Sequence, residues 1–166
     1  MGAMLASVKV ELKDALEIAT SIRFLCTGNV VRSAFAELYA RHKGCPLPVD
    51  SAATTFQNAA IFEETVEALR EYGVPDQLVQ AFRPRHLSRI STAPTPSLVL
   101  FGMTAEHLEH WKSRFPAHIA AFLLSDIDGS GVRISDPVMD GADFEQTYAQ
   151  IAELVGQLIE HLNRGR

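Results

Sequence analysis

The segment with the clearest chemical potential covers residues 26–33 and has the sequence CTGNVVRS. It follows the apolar stretch 22–25, which predicts a buried strand, and it precedes a segment with helical periodicity. A tight loop that enters a helix turns successive backbone N–H groups inward and so forms an anion site. Gly28 and Asn29 suit such a loop because they tolerate a positive φ better than other residues. The segment therefore predicts a loop that cradles a phosphate.

A cysteine and an arginine stand at the two ends of this loop. Arg32 offers a planar fork of donors that matches the oxygens of a phosphate. The guanidinium and the helix terminus both favour the thiolate form of Cys26, which is expected at the floor of the cradle. Such a thiolate is placed for in-line attack on phosphorus with a phosphocysteine as product, and the Ser33 hydroxyl is placed to hydrogen-bond the sulfur. The alternative is that Cys26 is an ordinary buried cysteine and Arg32 an ordinary surface residue.

The same chemistry needs a carboxyl group. A leaving phenolate or alkoxide must receive a proton and a water must later lose one, and a single carboxyl group in an apolar cleft can do both. Four candidate acids follow the last predicted strand, namely Asp126, Asp128, Asp136 and Asp140. Composition does not choose among them, and a solvated loop acid is the ordinary role for any one of the four.

Composition and charge narrow the class of protein. The chain has 166 residues, 47% of them hydrophobic and 21% charged, which predicts an ordinary globular protein. The formal charge of -5 argues against a broad nucleic-acid-binding surface. No apolar run has the roughly 20 residues that a bilayer span requires, and two cysteines cannot build a disulfide framework. Residues 1–20 show no export signal, so we expect a cytoplasmic protein with neither a nucleic-acid nor a membrane partner.

The periodicity of apolar residues predicts strands that alternate with helices. The predicted strands lie at 22–25, 47–50, 97–103 and 119–124, and the predicted helices lie at 33–43, 60–72, 105–114 and 144–162. Buried strands that alternate with helices form parallel sheets covered on both faces, so we expect a three-layer α/β sandwich around a four-stranded parallel sheet. In such folds ligands bind beyond the carboxyl ends of the strands, which is where the phosphate loop follows the first strand. We expect a short helix in an N-terminal extension, 1–20, ahead of a domain at 21–166.

From about Ile22 to Leu162 the chain resembles the low-molecular-weight protein tyrosine phosphatase family. The loop CTGNVVRS is similar to the family's phosphate loop, residues 51–54 (SAAT) to its next marker, and residues 135–137 (SDP) to its Asp-Pro loop. The resemblance implies hydrolysis of phosphomonoesters, on phosphorylated proteins or small molecules, through a phosphocysteine and with no metal or other cofactor. It implies that Cys26 is the nucleophile, that Arg32 binds phosphate, and that Asp136 is the general acid and then the base.

The resemblance also implies roles for the rest of the loop. The residues expected to bind substrate are Thr27, Gly28, Asn29, Val30, Val31 and Ser33. The residues expected to hold the loop in shape are Asn29, Ser33 and Ser51. Val30 resembles the residue of tyrosine-directed members, because phosphoarginine-directed members tend to have Thr at this place.

The chain departs from the family pattern at several positions. Val31 replaces a second cysteine beside the phosphate-binding arginine, so a partner for a protective disulfide is missing there. Phe82 stands where the family often has a histidine that supports the loop. Val138 and Met139 replace the aromatic residues that usually follow Asp-Pro, which puts phosphotyrosine preference in question and leaves Phe56 as the candidate aromatic wall.

Two other functions fit the same loop. An arsenate reductase that uses an external low-molecular-weight thiol needs only Cys26, whereas a thioredoxin-coupled reductase needs further cysteines that residues 46–166 do not contain. A catalytically weak homologue that binds phosphate or phosphoproteins is the other alternative, favoured by the missing aromatic wall. The sequence leaves the oligomeric state open, and its histidines show no spacing typical of a metal site.

Overall fold

A four-stranded parallel sheet with the order β2-β1-β3-β4 forms the middle layer of the fold. The strands are β1 (Ser21–Cys26), β2 (Val49–Ala53), β3 (Leu98–Gly102) and β4 (Ala121–Leu123). The structure is a computed structural model and describes residues 11–165. Because β1 lies between β2 and β3, its carboxyl end is central among the C-terminal ends of the strands, and Cys26 pairs there with Ala53.

The helices follow the strands in the chain and cover the sheet. They are α1 (Leu12–Ile18), α2 (Arg32–His42), α3 (Glu63–Glu71), α4 (Asp76–Ala81), α5 (Ala105–Arg114) and α6 (Phe144–Arg164). Two 3₁₀ turns, Leu87–Arg89 and Leu124–Asp128, complete the described elements. The Asp143 carboxylate accepts a hydrogen bond from the N–H of Gln146 and so caps α6 as the sequence predicts.

Alternation along the strands divides the core into two layers. Phe24 and Phe101 face the larger cluster, which contains the buried sides of α2 and α6. Leu25 and Leu100 face the opposite side and pack with Trp111 of α5. Helices therefore lie on both faces of the sheet, and the predicted three-layer α/β sandwich with its four-stranded parallel sheet is confirmed.

Several element boundaries differ from the prediction. Strand β2 begins and ends later than 47–50 because Pro48 offers no N–H to the ladder, while pairing with β1 continues to Ala53. Strand β4 is shorter than 119–124, since it is an edge strand whose chain turns into a 3₁₀ segment at Leu124. Helix α3 begins at Glu63 rather than at 60, because Phe62 is extended and donates its N–H to the Val30 carbonyl.

Helix α1 lies within the predicted N-terminal extension and belongs to the larger core. Its residues Ala15 and Leu16 are buried, and the helix contacts α6. The part of the predicted helical pattern that rests on Val8 lies outside the described residues. Across residues 11–165, no helix combines the length and the apolar character that crossing a bilayer would require.

Candidate active site

The loop of residues 27–31 joins β1 to α2 at the carboxyl end of the sheet. Asn29 has a φ of 57°, the one positive value among the described residues that are not glycine. The backbone N–H groups of residues 28–31 donate to no carbonyl within the described chain, so they are available to an anion. Local sequence and local geometry therefore agree on a concave, donor-lined loop.

Gly28 has a different role from the one expected. The left-handed residue of the loop is Asn29, and the need for glycine at position 28 is steric. A Cβ atom there would lie 2.9 Å from the Asn58 side-chain nitrogen, which donates a hydrogen bond to the Gly28 carbonyl at 3.0 Å. Asn58 was not among the residues expected at the site, because nothing in its local sequence links it to the loop.

Cys26 lies at the floor of the loop with its sulfur held by Ser33. The Sγ atom is 2.9 Å from Ser33 Oγ, and the Ser33 backbone N–H donates to it at 3.3 Å. The residue is only 2% exposed, as expected for a nucleophile reached through the loop rather than from open solvent. Cys26 is a free thiol.

A buried chain of hydrogen bonds supports the loop from behind. Asn29 Nδ2 donates to Ser33 Oγ at 2.7 Å and to Ser51 Oγ at 2.8 Å, and Asn29 Oδ1 accepts from the Arg85 N–H at 3.1 Å. Ser51 Oγ in turn donates to Glu37 Oε1 at 2.7 Å. The structure thus brings together the three residues predicted to hold the loop in shape, and it adds Glu37 and Arg85.

Glu37 is an unusual member of this chain because it is a carboxyl group in the core. Burial raises its pKa, while the Ser51 hydrogen bond and the Arg41 guanidinium act in the opposite direction. One signal for it was present in the sequence: it lies four residues after Ser33, on the helix face that points inward.

Substitution of Asn29 tests how the loop is held. We expect Asn29→Ala to lower the free energy of unfolding by about 2–4 kcal/mol, because two buried hydrogen bonds and one partly buried hydrogen bond are lost and Ala is strained at this φ. Asn29→Gly loses the same bonds without the strain and serves as the matched control. Denaturant unfolding should place the Ala variant about 1 kcal/mol below the Gly variant; equal stabilities of the two would contradict the strain argument.

Arg32 links the phosphate loop to the segment that carries Asp136. One guanidinium nitrogen donates to the Ile134 carbonyl at 2.8 Å. The other donates to Thr27 Oγ1 at 3.1 Å and to Asp136 Oδ2 at 3.2 Å. The side chain is only 2% exposed, which excludes the ordinary surface role.

The structure separates the four candidate acids. Asp126 accepts from the Leu123 N–H, and Asp128 from the Ser130 N–H, so both serve local turns. Asp140 lies at the surface and pairs with Arg133 at 3.4 Å. Asp136 alone among the four lines the cleft that opens onto Cys26, and the Val138 N–H holds its Oδ1 atom at 2.8 Å.

The cleft above Cys26 has a volume of about 100 Å³ and mainly apolar walls. The walls are formed by Val30, Val31, Phe56, Phe62, Val138 and Met139. Phe56 and Met139 stand at the rim, where they are 47% and 64% exposed. Phe62 is a second aromatic wall residue that the sequence did not suggest, since it lies at a helix start far along the chain from the loop.

Phe82 contributes no hydrogen bond to the loop. It packs in the larger apolar core, and the support expected from a histidine at this place comes instead from the Arg85 backbone and from Ser51.

Among residues 11–165, no group of three or more His, Cys, Asp or Glu side chains is arranged to hold a metal ion.

Comparison with known proteins decides the family. Residues 21–166 match the family described as low molecular weight phosphotyrosine protein phosphatase. The chain belongs to this family. The resemblance inferred from the phosphate loop and the Asp-Pro loop is therefore confirmed, and the chain is a low molecular weight phosphatase homologue.

Named relatives of this phosphatase homologue include both tyrosine and arginine phosphatases. The low molecular weight protein-tyrosine-phosphatase PtpB from Staphylococcus epidermidis is 30% identical over 143 residues, 82% of this chain and 95% of that protein. The YwlE arginine phosphatase from Geobacillus stearothermophilus is 27% identical with a TM-score of 0.72, over 87% of this chain and 94% of that one. A YwlE mutant in which serine replaces a cysteine, with a phosphorylated active-site serine, is 26% identical with a TM-score of 0.72, over 88% and 97% of the two chains.

Proposed function

We propose that this protein hydrolyses phosphomonoesters through a phosphocysteine at Cys26. The observation that carries the proposal is the meeting of three groups at one cleft: the Cys26 sulfur, the Arg32 guanidinium and the Asp136 carboxylate. Each step below is assigned to a residue of this chain, so the proposal needs neither metal nor other cofactor.

In the first step the phosphoryl group enters the loop. The backbone N–H groups of residues 28–31 and the Arg32 guanidinium bind its oxygens, and the Cys26 thiolate attacks phosphorus in line with the ester oxygen. The S–P bond forms as the P–O bond breaks, and Asp136 gives its proton to the leaving oxygen. The products of this step are the free alcohol or phenol and the phosphocysteine.

In the second step water replaces sulfur on phosphorus. The Asp136 carboxylate takes a proton from a water as that water attacks, the P–O bond forms and the S–P bond breaks. Sulfur leaves as the thiolate, stabilised by the Ser33 hydroxyl and the Ser33 N–H that already contact it. Inorganic phosphate departs, and Asp136 is again protonated for the next cycle.

The phosphorylated serine of the YwlE mutant supports a covalent intermediate. In that protein a serine substituted for a cysteine carries a phosphate in the active site. We assign the same event to Cys26 of this chain as the first step proposed above.

The chemistry of the walls favours an aryl phosphate, and phosphotyrosine is therefore the proposed substrate class. Phe56 and Phe62 offer faces to a ring, although aromatic residues are missing after Asp-Pro. The guanidinium of phosphoarginine is positively charged, and the described lining of the cleft offers it only one carboxylate, Asp136, which argues against this substrate. The arginine phosphatases among the structural relatives nevertheless make phosphoarginine the second candidate.

A substrate panel tests both the activity and the substrate class. We expect p-nitrophenyl phosphate to be hydrolysed at mildly acidic pH, and phosphotyrosine peptides to be hydrolysed at least about tenfold faster, in kcat/KM, than the same peptides with phosphoserine or phosphoarginine. The tenfold preference corresponds to about 1.4 kcal/mol, the size expected for one ring packed between apolar walls. A preference for phosphoarginine, in which a P–N bond is broken in place of the P–O bond, would overturn the phosphomonoester substrate class and leave only the phosphocysteine intermediate in place.

The remaining alternatives have their own readouts. Oxidation of an added low-molecular-weight thiol that depends on arsenate would identify a reductase. Binding of phosphate without any turnover of p-nitrophenyl phosphate would identify a binding homologue. Either result would contradict the proposed hydrolysis.

A further inference from the structure

A chain of hydrogen bonds connects Arg32 to helix α5, which is far from the phosphate loop in sequence. It starts at His107 in the first turn of α5, a side chain that is 3% exposed. The Nδ1 atom of His107 accepts from the backbone N–H groups of Met103 at 3.2 Å and Thr104 at 3.1 Å, and it also lies 3.2 Å from Thr104 Oγ1. Because the two backbone partners can only donate, Nδ1 carries no proton and the ring proton is on Nε2.

Among residues 11–165, the Nε2–H group has one partner, the Thr27 hydroxyl oxygen at 3.1 Å. The same oxygen accepts from the Arg32 guanidinium at 3.1 Å. With both acceptor positions of Thr27 Oγ1 filled, the hydroxyl is fixed in orientation. Thr27 is thus held in place from α5 and holds Arg32 in turn.

The contact between Arg32 and Thr27 becomes more important once a phosphate enters the loop. Asp136 shares a guanidinium nitrogen with Thr27, and a dianionic phosphate competes with Asp136 for that nitrogen. The protein contacts of Arg32 that do not take part in the reaction are the Ile134 carbonyl on one nitrogen and Thr27 Oγ1 on the other. These two fix the plane of the guanidinium fork, which a bidentate contact with phosphate requires.

We propose that His107 is a positioning residue that orients the Arg32 guanidinium for phosphate binding through the Thr27 hydroxyl. The proposal rests on the phosphate-binding role given to Arg32 in the proposed function. It adds a residue of α5, outside the phosphate loop and the Asp-Pro loop, to the machinery of the site.

The electrostatics of the helix start agree with this role. Burial, followed by the positive charge of Arg32, lowers the pKa of His107 to about 3, with Glu106 acting in the opposite direction and Arg133 and His110 adding smaller positive contributions. The ring therefore stays neutral wherever the protein is expected to work. A neutral ring can accept at Nδ1 and donate at Nε2 at once, and it does not repel Arg32.

Two substitutions separate the two nitrogens of the ring. In His107→Asn the side-chain oxygen can take the place of Nδ1, so the backbone contacts of α5 are kept and the donor to Thr27 is lost. In His107→Gln the amide can reach Thr27 in the place of Nε2, while the backbone contacts are lost. A positioning role predicts that Asn lowers phosphate affinity and kcat/KM by about 3- to 10-fold with little change in thermal stability. It predicts that His107→Gln keeps phosphate affinity and kcat/KM within about twofold of the wild type but has a lower thermal stability than the wild type.

Inorganic phosphate is the probe, because its binding can be measured by calorimetry whether or not the protein turns over. Thr27→Val removes the oxygen that joins the two partners and should weaken phosphate binding at least as much as His107→Asn does, and the double variant should be no weaker than Thr27→Val alone. Should His107→Asn fail to fold, Thr27→Val against Thr27→Ser gives the same comparison without touching α5, with Ser restoring phosphate affinity.

The outcomes are distinct. Wild-type phosphate affinity in His107→Asn or in Thr27→Val, equal losses in the Asn and Gln variants, or additive losses in the double variant would overturn the positioning role. If the wild type binds phosphate but hydrolyses no ester, the proposed function fails, while the phosphate affinities still decide the role of His107.

Discussion

Cys26→Ser is expected to abolish turnover while leaving phosphate binding almost unchanged. The serine hydroxyl is a far weaker nucleophile and a poorer leaving group than the thiolate, so kcat should fall by about 10⁴-fold or more. The Arg32 guanidinium and the N–H groups of residues 28–31 are untouched by the change, so calorimetry should give a phosphate affinity within about threefold of the wild type. Loss of turnover with retained binding separates the nucleophile from the cradle around it.

The second cysteine supplies the control for this experiment. Cys45 lies beyond the end of α2 and lines no part of the cleft, so Cys45→Ser should keep the wild-type kcat. Rapid denaturation of the wild type in alkaline detergent during turnover of a ³²P-labelled ester should leave label on the peptide that contains Cys26. Appreciable turnover by Cys26→Ser, or label on another peptide, would remove the phosphocysteine from the mechanism.

The phosphate loop could be predicted from sequence because its parts are local. Cys26 and Ser33 are seven residues apart, and a strand, a tight turn and a helix start suffice to bring their side chains within 2.9 Å. The same holds for Asn29, whose tolerance of a positive φ is a property of the residue itself. The need for glycine at position 28 could not be predicted locally, because it depends on the close approach of Asn58, which lies thirty residues further along the chain.

Residues that reach the site across the fold were beyond such reasoning. The contact between Arg32 and Asp136 spans 104 positions, and only the family resemblance distinguished Asp136 from its three neighbouring acids. Phe62 and His107 had no comparable motif, since an aromatic residue at a helix start and a histidine in a first turn are ordinary surface features in sequence. Their roles depend on where α3 and α5 dock, which the packing of the whole core decides.

For a related reason, one short helix was missed and the length of one short strand was overestimated. Helix α4 has six residues, Asp76–Ala81, fewer than two full turns, so no apolar period can be recognised in it. Strand β4 has three residues and lies at the edge of the sheet, so its apolar run was longer than its pairing. The elements that position the loop, β1 and α2, are central and long, and for that reason their signals were the strong ones.

The ion pair between Arg32 and Asp136 connects binding to acid catalysis. Without substrate, the two side chains are 3.2 Å apart in a buried setting. A phosphate dianion that takes over the Arg32 donors competes with Asp136 for the same guanidinium nitrogen, so the Asp136 carboxyl is released from this contact beside the bound phosphoryl group. Substrate binding and the position of the acid are therefore linked through Arg32.

Asp136→Ala is expected to slow the enzyme in a way that depends on the leaving group. Removal of a general acid typically costs 10²- to 10⁴-fold, and phenyl phosphate, whose phenolate needs the proton, should lose about 10³-fold in kcat/KM. A phosphate ester with a strongly acidic phenol needs little protonation and should lose about tenfold or less. The plot of log kcat/KM against leaving-group pKa should therefore become steeper, which a series of substituted phenyl phosphates measures.

The same variant should also expose the second step, because water would lack its base. With a good leaving group, a rapid burst of about one phenol per enzyme should precede a slow steady rate. Asp136→Asn is the matched control for the ion pair: its amide oxygen can still accept from Arg32 but cannot supply the acid, so it should show the same steep plot as the Ala variant. Asp128→Asn, which keeps the local contact to Ser130, should behave as wild type. If Asp136→Ala slowed good and poor leaving groups equally, or if the Asn variant retained the wild-type slope, the carboxylate would serve to hold Arg32 and the proton would come from elsewhere.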